Sequence, residues 1–217
     1  MSAVLFDLDG TLLDTAPDLR RALNEVLAAH HKPLKTLDEV RPHATHGTKS
    51  LLTLGFGEGA FEQEALRQAF WDAYLRDISA ETRLFDGVAE LIGALNQAAI
   101  PWGIVTNKVT HLTVAALPHF PALDACQALV CGDTLTERKP SPLPLLHAAA
   151  MLGVEPEHCL YLGDALTDME AAQGAGMQGL VASWGYVDDS HPRWPAQGVL
   201  THPLEVTKWC KISRSVL

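Results

Sequence analysis

The N-terminal stretch constrains this chain more than any other. Residues 3–6 form an uncharged apolar run, and two carboxylates, Asp7 and Asp9, follow it just before Gly10 and Thr11. The apolar run predicts a short buried strand. Residues two apart in a strand face the same side, so both carboxylates are expected in one pocket. That pocket would lie at the carboxyl end of the strand, where open α/β sheets bind ligands.

A blander interpretation of this stretch is a strand followed by a polar turn. Asp, Gly and Thr are all common turn residues. Two acids at the end of a buried strand nevertheless need partners, because an unpaired buried charge costs several kcal/mol. Gly10 also lets the backbone turn tightly and approach a ligand closely. The later segments of the chain favour the ligand site.

Length and charge exclude several classes of protein. With 217 residues the chain can hold one sizeable core, or a core and a smaller domain. Its net charge of −10 and scattered Lys and Arg argue against a nucleic-acid partner. No apolar run approaches the ~20 residues of a membrane span, and no signal peptide is indicated. These features predict a cytoplasmic protein with no membrane partner.

The four cysteines, at positions 126, 131, 159 and 210, form no C-x-x-C pair. They show no paired ligand spacing with the histidines, which disfavours a zinc site. Reduced, packed thiols are therefore predicted.

Helical patterns fill the chain from Thr15 to about Arg83, without a convincing strand. They predict a helix capped by Thr15, a helix opened by the capping box Thr36–Glu39, a short helix over 50–54 and a longer helix over 61–74. Glycines at 55, 57 and 59 are expected to separate the last two helices.

Strands and helices alternate in the second half of the chain. Strands are predicted over 100–105, 128–131, 159–162 and 179–182, with helices over 110–117, 141–152 and 167–175 between them. This alternation indicates a parallel sheet, which the first strand must join. The fold class is therefore α/β, with a discontinuous core domain (1–15 and 84–217) and an inserted helical domain (16–83).

The predicted strands end in polar residues. These are Asp7 and Asp9, Thr106 and Asn107, the segment running into Lys139, and Asp164 with Asp168. In a parallel sheet such ends meet at one edge, so one site is expected to hold several carboxylates, an ammonium and a hydroxyl. Two alternatives stay open. The last two aspartates would also suit a helix N-terminus, and the lysine would also suit a solvated surface.

The motifs D-x-D-G-T at 7–11, T-N at 106–107, K-P at 139–140 and G-D-x-x-x-D at 163–168 resemble the haloacid dehalogenase superfamily of phosphatases. The resemblance runs nearly end to end. It implies a Rossmann-like parallel-sheet core with an inserted α-helical (C1-type) cap. The wider stretches at 106–108, 139–142 and 160–164 resemble the phosphoglycolate phosphatase branch, although Val109 stands where that branch usually has proline.

The resemblance implies a role for each motif residue in phosphoryl transfer. Asp7 would be the nucleophile that forms an aspartyl-phosphate, and Asp9 the general acid and then the general base. Thr106 and Lys139 would hold the phosphoryl oxygens.

Further residues are assigned by the same resemblance to phosphate, substrate and metal. Gly10, Thr11 and Asn107 would help bind phosphate, and Lys49, in a cap loop, would contact substrate. Mg²⁺ would be bound by Asp7, the carbonyl of Asp9, Asp164 and Asp168, since oxygen ligands suit that ion. Whether Asp168 acts directly or through water is left open.

The predicted function is Mg²⁺-dependent hydrolysis of a small phosphorylated metabolite, with phosphoglycolate first. The tail at 185–194 and 202–205 also resembles the N-acetylmuramic acid 6-phosphate phosphatases. A sugar phosphomutase and a catalytically silent phosphate-binding module are further alternatives. A dehalogenase is disfavoured, because no leaving oxygen would require the acid at Asp9. Both a monomer and a homodimer fit the sequence.

Overall fold

The computed structural model describes residues 1–210 and residue 212. Its strands are β1 (Ala3–Phe6), β2 (Leu13–Asp14), β3 (Arg83–Leu84), β4 (Trp102–Val105), β5 (Ala128–Val130), β6 (Cys159–Gly163), β7 (Gln178–Ala182) and β8 (Gly198–Leu200). Its α-helices are α1 (Ala16–Ala29), α2 (Leu37–Ala44), α3 (Gly47–Phe56), α4 (Glu64–Arg76), α5 (Val88–Gln97), α6 (Thr110–Ala116), α7 (Leu143–Leu152), α8 (Leu166–Gly174) and α9 (Val206–Trp209).

Six parallel strands form the central sheet in the order β5-β4-β1-β6-β7-β8. The first strand lies inside it, paired with β4 and β6, and is fully buried. Val4 and Phe6 pack with α5 on one face, while Ala3 and Leu5 pack with α7 and α8 on the other. A strand covered on both faces must be apolar throughout. This sheet with helices on both faces confirms the predicted α/β class.

Helices α1 to α4, which we call the helical segment (residues 16–76), pack around an apolar cluster that also takes in Leu112 and Ala116 of α6 and Tyr186. Two short antiparallel strands, β2 and β3, carry the chain into and out of it. The predicted domain boundaries stay a prediction, and residues 211 and 213–217 of the predicted core range lie outside the described residues.

Several local predictions were wrong. The strand predicted over 179–182 was expected to be the last of the sheet, but β8 follows it, and its three residues are too few to show a period. Helix α3 runs over Gly47–Phe56 and contains Gly55, which was expected to end it. Packing outweighs the intrinsic cost of that glycine, since its position meets Leu23 and Leu27 of α1. Thr15 precedes α1 but makes no side-chain capping bond.

A buried carboxylate joins the two places where the chain enters and leaves the helical segment. Asp18, in the first turn of α1, accepts hydrogen bonds through Oδ2 from the backbone N–H groups of Glu81 and Thr82 at 3.1 and 2.8 Å. The Thr82 hydroxyl donates to the same oxygen at 2.6 Å. Asp18 is fully buried, so these bonds determine how β3 follows the helical segment.

Replacing Asp18 should destabilise the protein, because Asp18→Ala leaves three donors without an acceptor, two of them on buried Thr82. We expect a loss of about 2–4 kcal/mol in the free energy of unfolding, measured by urea denaturation. The control is Asp72→Ala on the exposed side of α4, where a change within about 0.5 kcal/mol is expected. Equal effects of the two substitutions would contradict the assignment.

Candidate active site

The site is centred on the Lys139 ammonium, which lies at the carboxyl edge of the sheet. Its Nζ is 2.9 Å from Asp7 Oδ1 and 2.7 Å from Asp168 Oδ1. It also donates to the Val105 carbonyl at 2.9 Å and the Tyr161 hydroxyl at 2.7 Å. The residue is only 2% exposed. The alternative of an ordinary solvated lysine is therefore wrong, and Lys139 neutralises buried acids.

Asn107 holds the backbone that carries this lysine. Its Nδ2 donates to the Lys139 carbonyl at 3.0 Å, and its Oδ1 accepts from the Lys139 N–H at 3.1 Å. Thr106, one residue earlier, is buried and accepts from the Lys108 N–H at 3.1 Å. Thr106 and Asn107 both line the cavity described below. The end of β4 thus positions the lysine loop that follows β5.

Asp164, directly after β6, is fully buried and held on both carboxylate oxygens. Oδ1 accepts from the Thr11 hydroxyl at 3.2 Å, and Oδ2 accepts from the Tyr186 N–H at 3.0 Å. Gly10 makes this packing possible: its φ is +86°, and a Cβ there would lie 2.1 Å from Asp164 Oδ2. The Gly10 N–H itself donates to the Leu13 carbonyl at 2.9 Å. Thr11 and Gly10 therefore lie behind this carboxylate, and neither lines the cavity.

Asp168 lies one helical turn after Asp164, with both carboxylate oxygens engaged by protein groups. Oδ1 accepts from Lys139 Nζ and, at 3.2 Å, from the Tyr161 hydroxyl. Oδ2 accepts from the Ala165 N–H at 3.0 Å at the start of α8. Asp168 therefore does act as an acid at the start of a helix, as one of the two alternatives predicted. The same carboxylate anchors Lys139, which the sequence did not predict.

Burial sets the protonation of this cluster. Burial raises the pKa of Asp7 to about 7, with Lys139 opposing the shift and Asp168 adding to it. Burial also raises the pKa of Asp164 well above its usual range, and the Asp7 and Asp168 carboxylates add to that. For Lys139, burial alone would lower the pKa, but Asp168 and Asp7 outweigh it and raise the value. One ammonium is too little positive charge for three acids.

These three acids fit a divalent cation. Single oxygens of Asp7, Asp164 and Asp168 lie within 4.8 Å of one another, and all three residues are buried. Asp7 Oδ1 pairs with the Lys139 ammonium at 2.9 Å, and Asp7 lines the cavity, so its carboxylate is placed to bind a cation. An all-oxygen donor set suits Mg²⁺, and it would be Asp7 and Asp164 that hold the ion.

Asp9 is held by a second buried lysine. Lys108 Nζ lies 3.2 Å from each of the two Asp9 carboxylate oxygens and donates to the Tyr74 hydroxyl at 3.0 Å. Tyr74 is carried by α4 of the helical segment and is fully buried. Asp9 is therefore contacted by Lys108, which follows β4. Through Lys108 it is also connected to Tyr74 of the helical segment.

A cavity of about 560 Å³ opens over these groups, between the sheet edge and the helical segment. Asp7, Asp9 and Lys139 line its floor; Lys49 and Trp71 line it from the helical segment. Lys49 was predicted in a loop but lies in the first turn of α3. Its Nζ is 3.9 Å from Glu62 Oε1, and both side chains are largely exposed.

Sequence reasoning missed Lys108 and the tyrosines at 74, 161 and 186. Lys108 belongs to the 106–108 stretch, but no neighbouring residue in the sequence indicates its partner. Tyr161 offered a usable signal, because a tyrosine in a buried strand needs a partner for its hydroxyl. Tyr186 donates to Asp14 Oδ1 at 2.7 Å and accepts from the Ala16 N–H at 3.0 Å. Its loop thereby ties Asp164 to the entry of the helical segment.

Comparisons with known proteins agree with this geometry. Residues 1–176 match the family model of haloacid dehalogenase-like hydrolases. A phosphoglycolate phosphatase of Xanthomonas campestris pv. campestris (strain 8004) is 43% identical, over 93% of this chain and 92% of that protein. An N-acetylmuramic acid 6-phosphate phosphatase of Pseudomonas aeruginosa is 36% identical, over 95% and 93% respectively. The expected resemblance is confirmed.

The fold is also similar to solved structures. A crystal structure described as a predicted phosphoglycolate phosphatase from Haemophilus somnus superposes with a TM-score of 0.86 at 24% identity, covering 97% of this chain and 98% of that one. At this identity the likeness concerns the fold. Among residues 1–210 and 212, no helix combines the length and apolarity needed to cross a membrane.

The raised pKa values predict how pH and Mg²⁺ affect stability. In chelator, the folded protein keeps protons on Asp7 and Asp164 at pH values where the unfolded chain has lost them. That stabilisation is complete near pH 4 and is lost as the pH rises through about 7. With Mg²⁺ removed by a chelator, we expect the melting temperature to decrease as the pH is raised from about 5.5 to about 7.5. Excess Mg²⁺ should reverse that decrease.

The matched variant is Asp164→Asn, which removes one of the crowded carboxylates. Its melting temperature in chelator should depend less on pH than that of the wild type, and Mg²⁺ should raise it less. The other titrating groups are common to both proteins and cancel in the comparison. Identical pH slopes together with identical responses to Mg²⁺ would show that these acids do not form the cation site.

Proposed function

Because this chain belongs to the haloacid dehalogenase-like hydrolases and is a phosphatase, we propose that it hydrolyses phosphomonoesters through an aspartyl-phosphate on Asp7. The observation that carries the proposal is the position of Asp7. Its carboxylate lies 2.9 Å from the Lys139 ammonium and lines the floor of the cavity. The ammonium can hold a phosphoryl oxygen beside the attacking carboxylate.

The first step transfers the phosphoryl group to the protein. An Asp7 oxygen attacks phosphorus, the bond from phosphorus to the ester oxygen breaks, and Asp9 gives its proton to that oxygen. Lys139 and the Thr106 hydroxyl would stabilise charge on the phosphoryl oxygens. The supporting geometry is that these side chains line one cavity floor.

The second step releases phosphate and restores Asp7. Asp9, now a carboxylate, takes a proton from a water molecule whose oxygen attacks phosphorus. The bond from phosphorus to the Asp7 oxygen then breaks. Mg²⁺, bound by Asp7 and Asp164, would neutralise charge on the phosphoryl group. Asp168 would act here through Lys139, whose ammonium donates to it at 2.7 Å.

We propose 2-phosphoglycolate as the substrate, in line with relatives of that name at 43% identity. N-acetylmuramic acid 6-phosphate is the second candidate, because the cavity of about 560 Å³ is roomier than a two-carbon acid requires. Lys49 is proposed to contact the part of the substrate that leaves. A cytoplasmic location is also proposed, in keeping with four free cysteines.

The nucleophile is tested by Asp7→Asn, which keeps the size of the side chain but removes the attacking carboxylate. We expect Mg²⁺-dependent release of phosphate from p-nitrophenyl phosphate to fall by about 10³-fold or more. Asp124→Asn, an exposed acid on the core, should keep wild-type turnover. An Asp7→Asn protein with undiminished turnover would defeat the proposal.

The substrate is tested by comparing kcat/KM for 2-phosphoglycolate and N-acetylmuramic acid 6-phosphate. We expect the two-carbon ester to be the better substrate by about tenfold or more, with Lys49→Ala lowering kcat/KM for it. A preference for the amino sugar would reverse the assignment. Conversion of a sugar phosphate into an isomer without net phosphate release would instead identify a mutase.

A further inference from the structure

Lys108 is a buried lysine to which the proposed chemistry assigns no role. Its side chain is only 5% exposed, and that of its partner Asp9 is 14% exposed. The three groups in contact come from distant parts of the fold. Asp9 follows β1, Lys108 follows β4, and Tyr74 belongs to α4 in the helical segment.

The hydrogen bonds of Lys108 are complete without a ligand. An ammonium has three N–H donors, and three acceptors surround it, namely the two Asp9 oxygens at 3.2 Å and the Tyr74 hydroxyl at 3.0 Å. Within the described residues each donor of the Lys108 ammonium thus has an acceptor, and two of the three belong to Asp9.

Burial and the contacts between the three groups together determine their charges. Burial by itself would lower the pKa of Lys108, but the Asp9 carboxylate and Tyr74 outweigh it and raise the value, so the ammonium stays charged. Burial raises the pKa of Tyr74, so its phenol stays neutral and can accept the hydrogen bond. The Lys108 ammonium also lies 4.5 Å from the centre of the Tyr74 ring, which adds a cation–π attraction.

We propose that Lys108 is a positioning residue for Asp9 and that Tyr74 holds Lys108 in place, so that the helical segment takes part in the acid–base step. This rests on the proposed role of Asp9. As Asp9 gives its proton to the ester oxygen, a carboxylate forms beside the Lys108 ammonium and is stabilised by it. The symmetric contact with both oxygens also fixes the direction in which that carboxylate points.

The proposal is tested with a series of phenyl phosphates that differ only in ring substituents and hence in how readily the phenol leaves. Poor leaving groups need the acid, whereas p-nitrophenol needs it little. We expect Lys108→Met to lower kcat/KM by about tenfold to 10³-fold for phenyl phosphate and much less for p-nitrophenyl phosphate. Retained turnover of the latter shows that the variant is folded.

Tyr74→Phe keeps the buried ring and removes only the hydroxyl. It should produce the same dependence on the leaving group with a smaller loss for phenyl phosphate, about threefold to tenfold, because the Lys108 ammonium keeps both of its contacts with Asp9. Lys108→Arg, which can still pair with both Asp9 oxygens, should recover part of the activity lost in Lys108→Met. Lys49→Met, at a lysine that lines the cavity from the helical segment, should lower kcat/KM equally across the series.

Asp9→Asn calibrates the series and separates the two proposals. If Asp9→Asn depends steeply on the leaving group while Lys108→Met and Tyr74→Phe lower all substrates equally, the positioning role is overturned and the acid role of Asp9 stands. A uniform loss in Lys108→Met would identify a phosphate ligand instead. If the loss in Asp9→Asn does not depend on the leaving group, both the acid role of Asp9 and the positioning role of Lys108 fail, because there is then no acid to position.

Discussion

The site depends on one ammonium group placed among buried carboxylates. An isolated ion at this depth would cost several kcal/mol, yet Lys139 has four oxygens within 2.9 Å, from Asp7, Val105, Tyr161 and Asp168. The pairing permits Asp7 to lie buried at the end of β1. It also leaves negative charge in excess, which is the condition for binding a divalent cation.

The helical segment is bonded to this site as well as covering it. Tyr186 donates its N–H to Asp164 and places its hydroxyl between Asp14 and the Ala16 N–H, where the chain enters the helical segment. Tyr74, on α4, accepts a hydrogen bond from Lys108. Both connections use a buried tyrosine, whose ring packs while its hydroxyl bonds. Movement of the helical segment would therefore change the surroundings of Asp164 and Asp9.

Local patterns predicted the elements that are long and regular. The sheet strands β1, β4, β5, β6 and β7 lie within a residue or two of their expected positions, because a buried parallel strand is an uninterrupted apolar run. The capping box at Thr36 is present, since both of its bonds lie within one turn of helix. The strand β8 and the extent of α3 were missed. Three residues show no period, and packing against α1 overrides the glycine in α3.

The sequence alone determined the α/β class, the inserted helices and the meeting of the motif acids at one sheet edge. These follow from periodicity and from the rule that parallel strands end on the same side. Only the tertiary structure decided which partner each side chain finds. The Thr11 hydroxyl donates to Asp164, 153 positions away, and the Lys108 ammonium donates to Asp9, 99 positions away. Asp168 accepts a hydrogen bond from Lys139. Such contacts depend on how separate elements pack, and no local pattern encodes a distance between residues so far apart.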